Sequence, residues 1–346
     1  RGLVWLRSRT HYTTLPLFRS CFFLFFLLFF FTATATTEIY TLSLHDVFRS
    51  RTQGTDAALK MARASYIAGF SSTSNVLAAS IYGMPPAGTM AHSFISSFPS
   101  ELDAFRAYAA SFPTRTVLLV DTYDTIAGTW NAVQVAKEME ADGHHLTAIR
   151  LDSGDFDQLS RQVRKILDDS GLDHVKILAS GGLDEYELET LVNNGAPIDL
   201  FGVGTKAGVS ADAPWSDMAY KLVCFDGRPV MKLSPDKVSL PGAKQVYRTK
   251  HSSGMFAKDI IALDDEELPG GLPLLEEVMK DGRRTGPPTA LEDVRMRFQE
   301  DFSDLDERFK VLKNPPRFPV SVSGKLERLT AEVREKALGV NVSDSD

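Results

Sequence analysis

A repeated pattern that begins near residue 116 limits the possible folds of this chain more than any other part of its sequence. A short apolar run ends in a polar or glycine-rich tip, and an amphipathic segment of helical period follows before the next apolar run. Each such unit predicts a β-strand followed by an α-helix. The predicted strands are 116–120, 146–150, 175–179 and 199–203, and the predicted helices between them are 131–141, 156–170 and 185–194.

Strands that are apolar throughout and alternate with helices predict a parallel sheet covered by helices. Leu159, Val163 and Ile166 share one face of the second predicted helix, and we expect that face to pack on the sheet. The spacing alone leaves open whether the sheet is doubly wound or closed as a barrel. In both folds the strand tips converge on one rim, where such proteins place their chemistry.

The last third of the chain has a different pattern. Residues 220–225 and 229–233 flank an Asp-Gly pair and predict a β-hairpin, which we interpret as part of a smaller β-containing appendage. Two further helices are predicted at 290–312 and 325–338. A length of 346 residues suits either one α/β barrel or two packed units.

The first 48 residues do not match the rest of the chain. Arginines precede an apolar run at 21–31 and an Ala-Thr-Ala sequence, as in a signal peptide or membrane anchor. A buried strand or helix is a second interpretation. We favour a third, a segment foreign to the protein, because 37–46 resembles translated sequencing-adapter sequence. We therefore exclude 1–48 from the fold and expect the native amino terminus to be missing.

Charge and cysteine content exclude several classes of protein. The 38 Lys and Arg residues against 45 Asp and Glu residues give a net charge of -7, which argues against a general nucleic-acid binder. Cys21 and Cys224 are too far apart to predict a zinc site or a disulfide framework, which favours a reducing compartment. We interpret His144, His145 and His174 as solvated side chains and predict no metal ligands.

Glycine-rich tips follow the third and fourth predicted strands. They comprise Ser180, Gly181, Gly182, Gly202, Gly204 and Thr205. Their backbone N–H groups, unobstructed by a Cβ and next to helix starts, suit a phosphate group. A glycine after a strand is also the usual residue of a tight turn, and the sequence leaves both interpretations open.

The second predicted strand ends in one guanidinium and two carboxylates, from Arg150, Asp152 and Asp155. Alternation along a strand puts Arg150 and Asp152 on the same side. Arginine offers a planar fork to a carboxylate, and aspartate accepts hydroxyl groups or a Mg²⁺-bound water. The alternative is a structural ion pair, with Asp155 as the N-cap of the next helix.

His92 ends another short apolar run, in the sequence GTMAHSF. An isolated histidine of this kind is commonly a hydrogen-bonded packing residue. If it faces the rim, it has the chemistry of a nucleophile towards phosphorus.

Taken in order, these motifs closely resemble nicotinate phosphoribosyltransferase. The matching segments are 51–54 (RTQG), 69–70, 74–78, 87–94, 121–124 (DTYD), 150–155 (RLDSGD), 180–185 (SGGLDE) and 201–205 (FGVGT). The resemblance implies the irregular TIM-like α/β barrel of type II phosphoribosyltransferases with a smaller β-containing accessory domain. We assign the barrel to 49–215 and the C-terminal hairpin and helical accessory region to 216–346.

The resemblance also implies the roles of individual residues. His92 matches a phosphohistidine, Arg150 the arginine on the nicotinate side, and Asp121 and Asp152 the acidic residues around the ribose and the Mg²⁺-pyrophosphate. His92, Asp121 and Asp152 are the implied catalytic residues. The implied substrate-binding residues are Arg51, Thr89, Ser93, Arg150, Ser180, Gly181, Gly182, Gly202, Gly204 and Thr205.

The implied reaction joins nicotinate to phosphoribosyl pyrophosphate, with ATP as co-substrate and Mg²⁺ as cofactor, in a cytoplasmic homodimer of NAD salvage that binds neither nucleic acid nor membrane. Relatives that use nicotinamide carry an aspartate where this chain has Ser93, and a serine there removes a charge that would repel nicotinate. A nicotinamide- or quinolinate-using relative and a non-catalytic phosphate-binding remnant are the alternatives. Because the family's N-terminal segment is absent, we expect an incomplete active-site rim.

Overall fold

The computed structural model describes residues 38–41, 52–215, 219–235 and 237–339. Arg51 lies outside these ranges, so its predicted role has no structural counterpart here. The chain divides into two compact units. Of the described residues, the larger unit contains 38–41, 52–214 and Val294–Phe298, and the smaller contains 215, 219–235, 237–293 and 299–339.

A six-stranded parallel sheet forms the centre of the larger unit. Its strands are β1 (Glu38–Thr41), β2 (Ser72–Thr73), β3 (Val117–Leu119), β4 (Ala148–Leu151), β5 (Lys176–Ser180) and β6 (Leu200–Val203). β1 lies within the 1–48 range that the sequence analysis set apart, so the sheet includes four residues from that range. The four strands predicted after residue 115 are all present, each within two residues of its predicted start.

The order of the strands separates the barrel from the doubly wound sheet. The strands pair in the order β2-β1-β6-β5-β4-β3. β3, β4 and β5 each pair with the next strand along the chain, and β6 pairs with the first strand, β1. A doubly wound sheet instead reverses its order at a switch point in the middle. Among the described strands, pairing of β2 with β3 is all that a closed ring would still require. This strand order is that of an irregular α/β barrel.

The core of the larger unit lies along these strands. Leu118, Leu119, Ile149 and Ile177 are fully buried, and Phe201 is 1% exposed. All four residues of β4 and of β6 are buried. This is the burial that a parallel strand acquires when other parts of the fold cover both of its faces.

Eight helices accompany the sheet in the described part of this unit. They are α1 (Thr55–Ile67), α2 (Val76–Tyr82), α3 (His92–Ser96), α4 (Glu101–Ser111), α5 (Thr125–Ala141), α6 (Phe156–Asp169), α7 (Glu185–Asn193) and α8 (Thr205–Gly208). The three predicted helices are confirmed, but α5 begins six residues before its predicted start. The Asp124 carboxylate accepts the Ala127 N–H at 2.8 Å and caps the helix there.

The smaller unit contains the predicted hairpin, with β7 (Cys224–Phe225) antiparallel to β8 (Arg228–Pro229). A four-stranded sheet, which the sequence analysis did not identify, has the order β11-β9-β10-β14. Its strands are β9 (Lys244–Lys250), β10 (Phe256–Leu263), β11 (Leu272–Pro273) and β14 (Val320–Val322). The short strands β12 (Met279–Lys280) and β13 (Arg283–Arg284) pair with each other.

The helix predicted over 290–312 is shorter than expected. α9 (Leu291–Ser303) ends nine residues early, and a 3₁₀ turn (Glu307–Phe309) follows. The Asp306 carboxylate accepts the Arg308 N–H at 3.0 Å and so starts the new turn. α10 (Gly324–Leu338) agrees with its prediction to within one residue. Among the described residues, no helix is both long enough and apolar enough to cross a membrane.

Candidate active site

The carboxyl ends of β3, β4 and β5 bring together most of the side chains that the sequence analysis singled out. Asp121 follows β3, Arg150 and Asp152 lie at the end of β4, and Ser180 ends β5. The carboxyl ends of parallel strands share one edge of the sheet, so residues 30 positions apart become neighbours. His92 and Thr89 reach the same edge from α3 and the loop before it.

Arg150 is the most enclosed charged residue of this edge, with a side chain 4% exposed. Its Nε donates to Ser180 Oγ at 2.7 Å, and its Nη2 donates to an Asp152 carboxylate oxygen at 2.6 Å. Its Nη1 donates to Thr89 Oγ1 at 2.8 Å and to the Met90 carbonyl at 3.4 Å. A guanidinium has five N–H donors, so these contacts with described residues leave one donor on Nη2 for a ligand.

Asp152 is held as a carboxylate. Burial opposes its ionisation, but the Arg150 guanidinium, the Ser180 hydroxyl and the nearby His92 outweigh that cost and lower the pKa of Asp152 below its ordinary value. Ser180 Oγ donates to Asp152 Oδ1 at 2.5 Å. The buried Ser180 hydroxyl therefore binds both Asp152 and Arg150, and its substrate contact stays a prediction.

The backbone at Gly181 leaves no room for any side chain. Its φ is +102°, and a Cβ added there would lie 1.9 Å from the Asp152 carbonyl oxygen. The backbone after β5 thus passes against the backbone after β4, which an L side chain would prevent. Gly182 also has a positive φ, of +69°, but a Cβ there would meet open space.

Asp121 links the end of β3 to the end of β4. Its Oδ2 accepts the Asp152 N–H at 3.0 Å and the Ser153 hydroxyl at 2.5 Å. Its Oδ1 is buried and has no hydrogen-bond partner among the described residues. One oxygen of this carboxylate therefore positions the β4 tip, and the other remains available for a ligand.

His92 is the first residue of α3, and its side chain is 44% exposed. The ring Nδ1 lies 3.1 Å from Thr122 Oγ1, and Nε2 lies 3.6 Å from Asp152 Oδ2. If Nδ1 carries the proton for Thr122, Nε2 retains its lone pair. The packing interpretation is therefore incomplete, since the histidine lies on the rim beside the charged cluster.

Glu101 is a buried carboxylate that the sequence analysis did not identify. It is 8% exposed, its Oε2 accepts from Asn131 Nδ2 at 3.0 Å, and its Oε1 has no partner among the described residues. Burial, together with the charges of Asp121 and Asp124, raises the pKa of Glu101. An acidic residue in the first turn of a helix is ordinary, so the sequence held no signal for its burial.

The two glycine tips lead into helices with different N-termini. The N-terminus of α7 is closed by its own capping box, in which Asp184 accepts the N–H of Glu187, and Lys206 Nζ pairs with Asp184 at 2.8 Å. The N-terminus of α8 begins at Gly204 without a side-chain cap. An anion at the first tip would therefore meet the amides of the glycine turn and not the start of α7.

The remaining predicted residues lie around this edge. Gly202 is in β6, Gly204 is the N-cap of α8, and Thr205 is exposed as its first residue. Ser93 is exposed one residue after His92. Apart from Arg51, the structure thus describes all the predicted site residues, and direct hydrogen bonds or ion contacts join His92, Asp121, Asp152, Arg150, Thr89 and Ser180.

Comparison with known proteins identifies the family of the chain. The sequence profile of the nicotinate phosphoribosyltransferase (NAPRTase) family matches residues 41–234, more than half of the chain. The profile of the nicotinate phosphoribosyltransferase C-terminal domain matches residues 272–330.

Two curated relatives extend the match. A nicotinate phosphoribosyltransferase of Mycobacterium tuberculosis is 46% identical over 300 residues, which cover 84% of this chain and 64% of the relative. One of Bacillus subtilis is 37% identical over 298 residues, which cover 78% of this chain and 60% of the relative. The chain thus spans somewhat less than two thirds of the length of these relatives.

Two solved structures share the fold. Human nicotinic acid phosphoribosyltransferase matches with a TM-score of 0.75 and 26% identity, over 90% of this chain and 73% of that one. The nicotinate-nucleotide pyrophosphorylase of Pyrococcus furiosus matches with a TM-score of 0.66 and 26% identity, over 81% and 68% of the two chains. The strand order, the charged cluster at the carboxyl edge and the two matching profiles lead to one conclusion: the chain belongs to the nicotinate phosphoribosyltransferase family.

Proposed function

We propose that this chain joins nicotinate to phosphoribosyl pyrophosphate, giving nicotinate mononucleotide and pyrophosphate with coupled hydrolysis of ATP, in the salvage of NAD. The observation that carries the proposal is the buried Arg150–Asp152–Ser180 cluster, with His92 Nε2 only 3.6 Å from Asp152. The cluster combines a fixed cation, a fixed carboxylate and an accessible imidazole at the catalytic edge of the barrel.

The two carboxylates suit the sugar side of this reaction. Departure of pyrophosphate builds positive charge at the ribose C1, and carboxylates fixed beforehand stabilise that charge without reorganising. The lowered pKa of Asp152 keeps it ionised at neutral pH. Asp121, whose Oδ2 binds the Asp152 N–H, holds the two acids in a constant relation to each other.

Arg150 gives the site its preference for an acid. Four of its five donors bind described residues of the chain, so one N–H remains for the pyridine carboxylate. Arg150 thus supplies a fixed positive charge and donates one hydrogen bond to that carboxylate. Thr89, whose hydroxyl accepts from Nη1, sets the plane of the guanidinium, and Ser93, which follows His92 in the chain, is neutral and adds no repelling charge.

Mg²⁺ fits the donors at this edge. The Asp121 Oδ1 atom is a hard carboxylate oxygen with no partner in the described part of the chain, and such oxygens are the ligands that Mg²⁺ prefers. When bound, Mg²⁺ neutralises charge on the departing pyrophosphate. The amides of the Gly181–Gly182 turn and of the Gly204–Thr205 segment are proposed to bind the ribose 5-phosphate.

His92 is the proposed acceptor of the phosphoryl group of ATP. Its Nε2 would form a bond to the γ-phosphorus as the bond to the ADP oxygen breaks, and water would later take the phosphoryl group. In the tautomer in which Nδ1 donates to Thr122 Oγ1, the Nε2 lone pair is free for this attack. The adjacent Asp152 then stabilises the imidazolium character that develops on the ring.

The decisive experiment measures nicotinate mononucleotide formation by the full chain and by His92→Ala, each with and without ATP. His251→Ala is the matched control, because His251 is an exposed histidine of the smaller unit. We expect ATP to raise the rate of the parent and of the control, and His92→Ala to lose that gain. Binding of phosphoribosyl pyrophosphate without any nucleotide product would contradict the enzyme and favour the phosphate-binding remnant.

The assembly and location follow from the same proposal. We propose a cytoplasmic homodimer, so light scattering on the purified chain should give twice its mass of 38.2 kDa. A monomeric mass would contradict the dimer and leave the assignment of the reaction to the assay above.

A further inference from the structure

We propose that the larger unit carries a second, metal-binding site at the amino edge of its sheet, formed by Glu140, His145 and His174 and selective for a divalent transition-metal ion such as Zn²⁺. One ligand atom from each of these side chains lies within 4.8 Å of the other two. No other such group of histidine, cysteine and acidic residues occurs in the described part of the chain.

The backbone that carries these ligands is firmly anchored. Glu140 lies in the last turn of α5, and both histidines lie in the short segments that lead into β4 and β5. Each histidine is followed by a fully buried residue, Leu146 after His145 and Val175 after His174, with exposures of 1% and 0%. The two segments are also joined directly, because the Lys176 N–H donates to the Thr147 carbonyl at 3.1 Å.

The side chains themselves are free to adjust. Both histidines are exposed, and their rings meet edge to face with centroids 5.4 Å apart. Ligand atoms on one zinc ion lie about 3.4 Å apart, since Zn–N bonds are about 2.0 Å long. Closing from the present separation requires only rotations of exposed side chains, which move between staggered rotamers at little cost. The site borders a surface cleft of about 420 Å³, which gives an ion access from solvent.

The donor set determines the class of metal. Two imidazoles and one carboxylate form the His₂Glu set that holds Zn²⁺ in catalytic sites with an open position. Imidazole is a poor ligand for Mg²⁺ and Ca²⁺, which take oxygen ligands, so the site discriminates against the ion proposed for the catalytic edge. The amino and carboxyl ends of the strands lie at opposite edges, so occupancy here can be measured separately from the reaction.

Two lysines weaken the binding of a cation at this site. Lys137 Nζ pairs with the Glu140 carboxylate at 2.9 Å and competes for it. Lys176, which lines the same cleft, adds a positive charge that disfavours a cation. Binding is therefore expected to be weaker than in a structural zinc site, and removal of Lys137 should strengthen it.

The test is a Zn²⁺ titration of the chelator-stripped full chain by competition with a chromogenic chelator. We expect one equivalent of Zn²⁺ to be lost, or bound at least tenfold more weakly, in His145→Ala and in His174→Ala. His144→Ala is the matched control, because His144 lines the same cleft without belonging to the cluster, and Cys224→Ser removes the exposed thiol. Both controls should bind Zn²⁺ within twofold of the parent.

Two further measurements test Glu140 as a ligand and the presence of the site itself. Lys137→Ala should bind Zn²⁺ two- to threefold more tightly, and unchanged or weaker binding would overturn Glu140 as a ligand. Zn²⁺ should raise the unfolding midpoint of the parent but not that of the His145→Ala/His174→Ala double variant. Equal stoichiometry and affinity in parent and double variant, with metal-free midpoints that agree, would overturn the site.

Discussion

The two edges of the barrel sheet hold their polar groups in opposite ways. At the carboxyl edge Arg150 and Asp152 are 4% and 17% exposed and bind each other and Ser180. At the amino edge His145 and His174 are exposed, and their rings contact each other. Burial of a charge is costly unless an opposite charge and hydrogen bonds compensate it, so the Arg150–Asp152 pair is held in place, whereas the exposed imidazoles are free to adapt to a ligand.

We expect the greatest loss of stability from a substitution that removes the buried cation of the carboxyl edge. Arg150→Met should destabilise the chain by about 3–5 kcal/mol, because it leaves Asp152 buried without its cation. It should also abolish nucleotide formation under the proposed function. Urea unfolding measures the first effect. The control is Arg106→Met, which removes an ion pair to Glu138 whose side chains are both 43% exposed, and should cost less than about 1 kcal/mol. Equal losses in the two variants would contradict the contrast between buried and exposed pairs.

The next effect concerns the backbone of the same edge. Gly181→Ala should cost at least about 2 kcal/mol, because its Cβ would lie 1.9 Å from the Asp152 carbonyl at a φ of +102°. Gly182→Ala should cost about 1 kcal/mol, since it has a positive φ of +69° but open space around it. Chemical unfolding of the two variants side by side checks the difference, and a smaller loss for Gly181→Ala would refute the close approach.

Glu101→Gln should change how stability depends on pH. A carboxyl group whose pKa is raised by folding stabilises the native state at low pH, and that contribution is lost as pH rises from its unfolded pKa through its folded one. Glutamine keeps an acceptor for Asn131 but does not titrate. The variant should therefore gain stability relative to the parent between pH 5 and pH 8.

The control for this prediction is Glu138→Gln. Arg106 lowers the pKa of Glu138, so its carboxylate stabilises the fold above its ordinary pKa and loses that effect only as pH falls through the lowered value. Glu138→Gln should gain no stability over the same range. A difference between Glu101→Gln and the parent that is the same at pH 5 and pH 8 would rule out a raised pKa for Glu101.

The smallest effect is expected at the amino edge. Without metal, His145→Ala and His174→Ala should each change the free energy of unfolding by less than about 0.5 kcal/mol, because exposed side chains that hold no buried partner contribute little. Thermal unfolding in the presence of a chelator measures this change in stability. A loss near that of Gly181→Ala would show that the imidazoles support the fold itself.

Much of the barrel could be predicted from the sequence because its signals are local. Apolar runs of five residues, aspartate caps such as Asp155 and the Asp-Gly hairpin turn each involve residues within a few positions of one another. The same local reasoning misplaced the start of α5, because the helix begins at the Asp124 cap. It also misplaced the end of α9, because Asp306 caps a separate 3₁₀ turn after that helix. It also missed the sheet of β9, β10, β11 and β14, which has partners distant in sequence.

The βα units, the edge on which the polar tips converge and the ordered motifs that resemble one enzyme family can all be recognised in the amino-acid sequence. Which side chains meet depends on the folded chain. Thr89 lies 61 positions from Arg150, Asp121 lies 31 from Asp152, and the burial of Glu101 and the pairing of His145 with His174 have no local signature. Strand order explains these contacts, because parallel pairing brings distant residues together, and burial then sets their charges and partners.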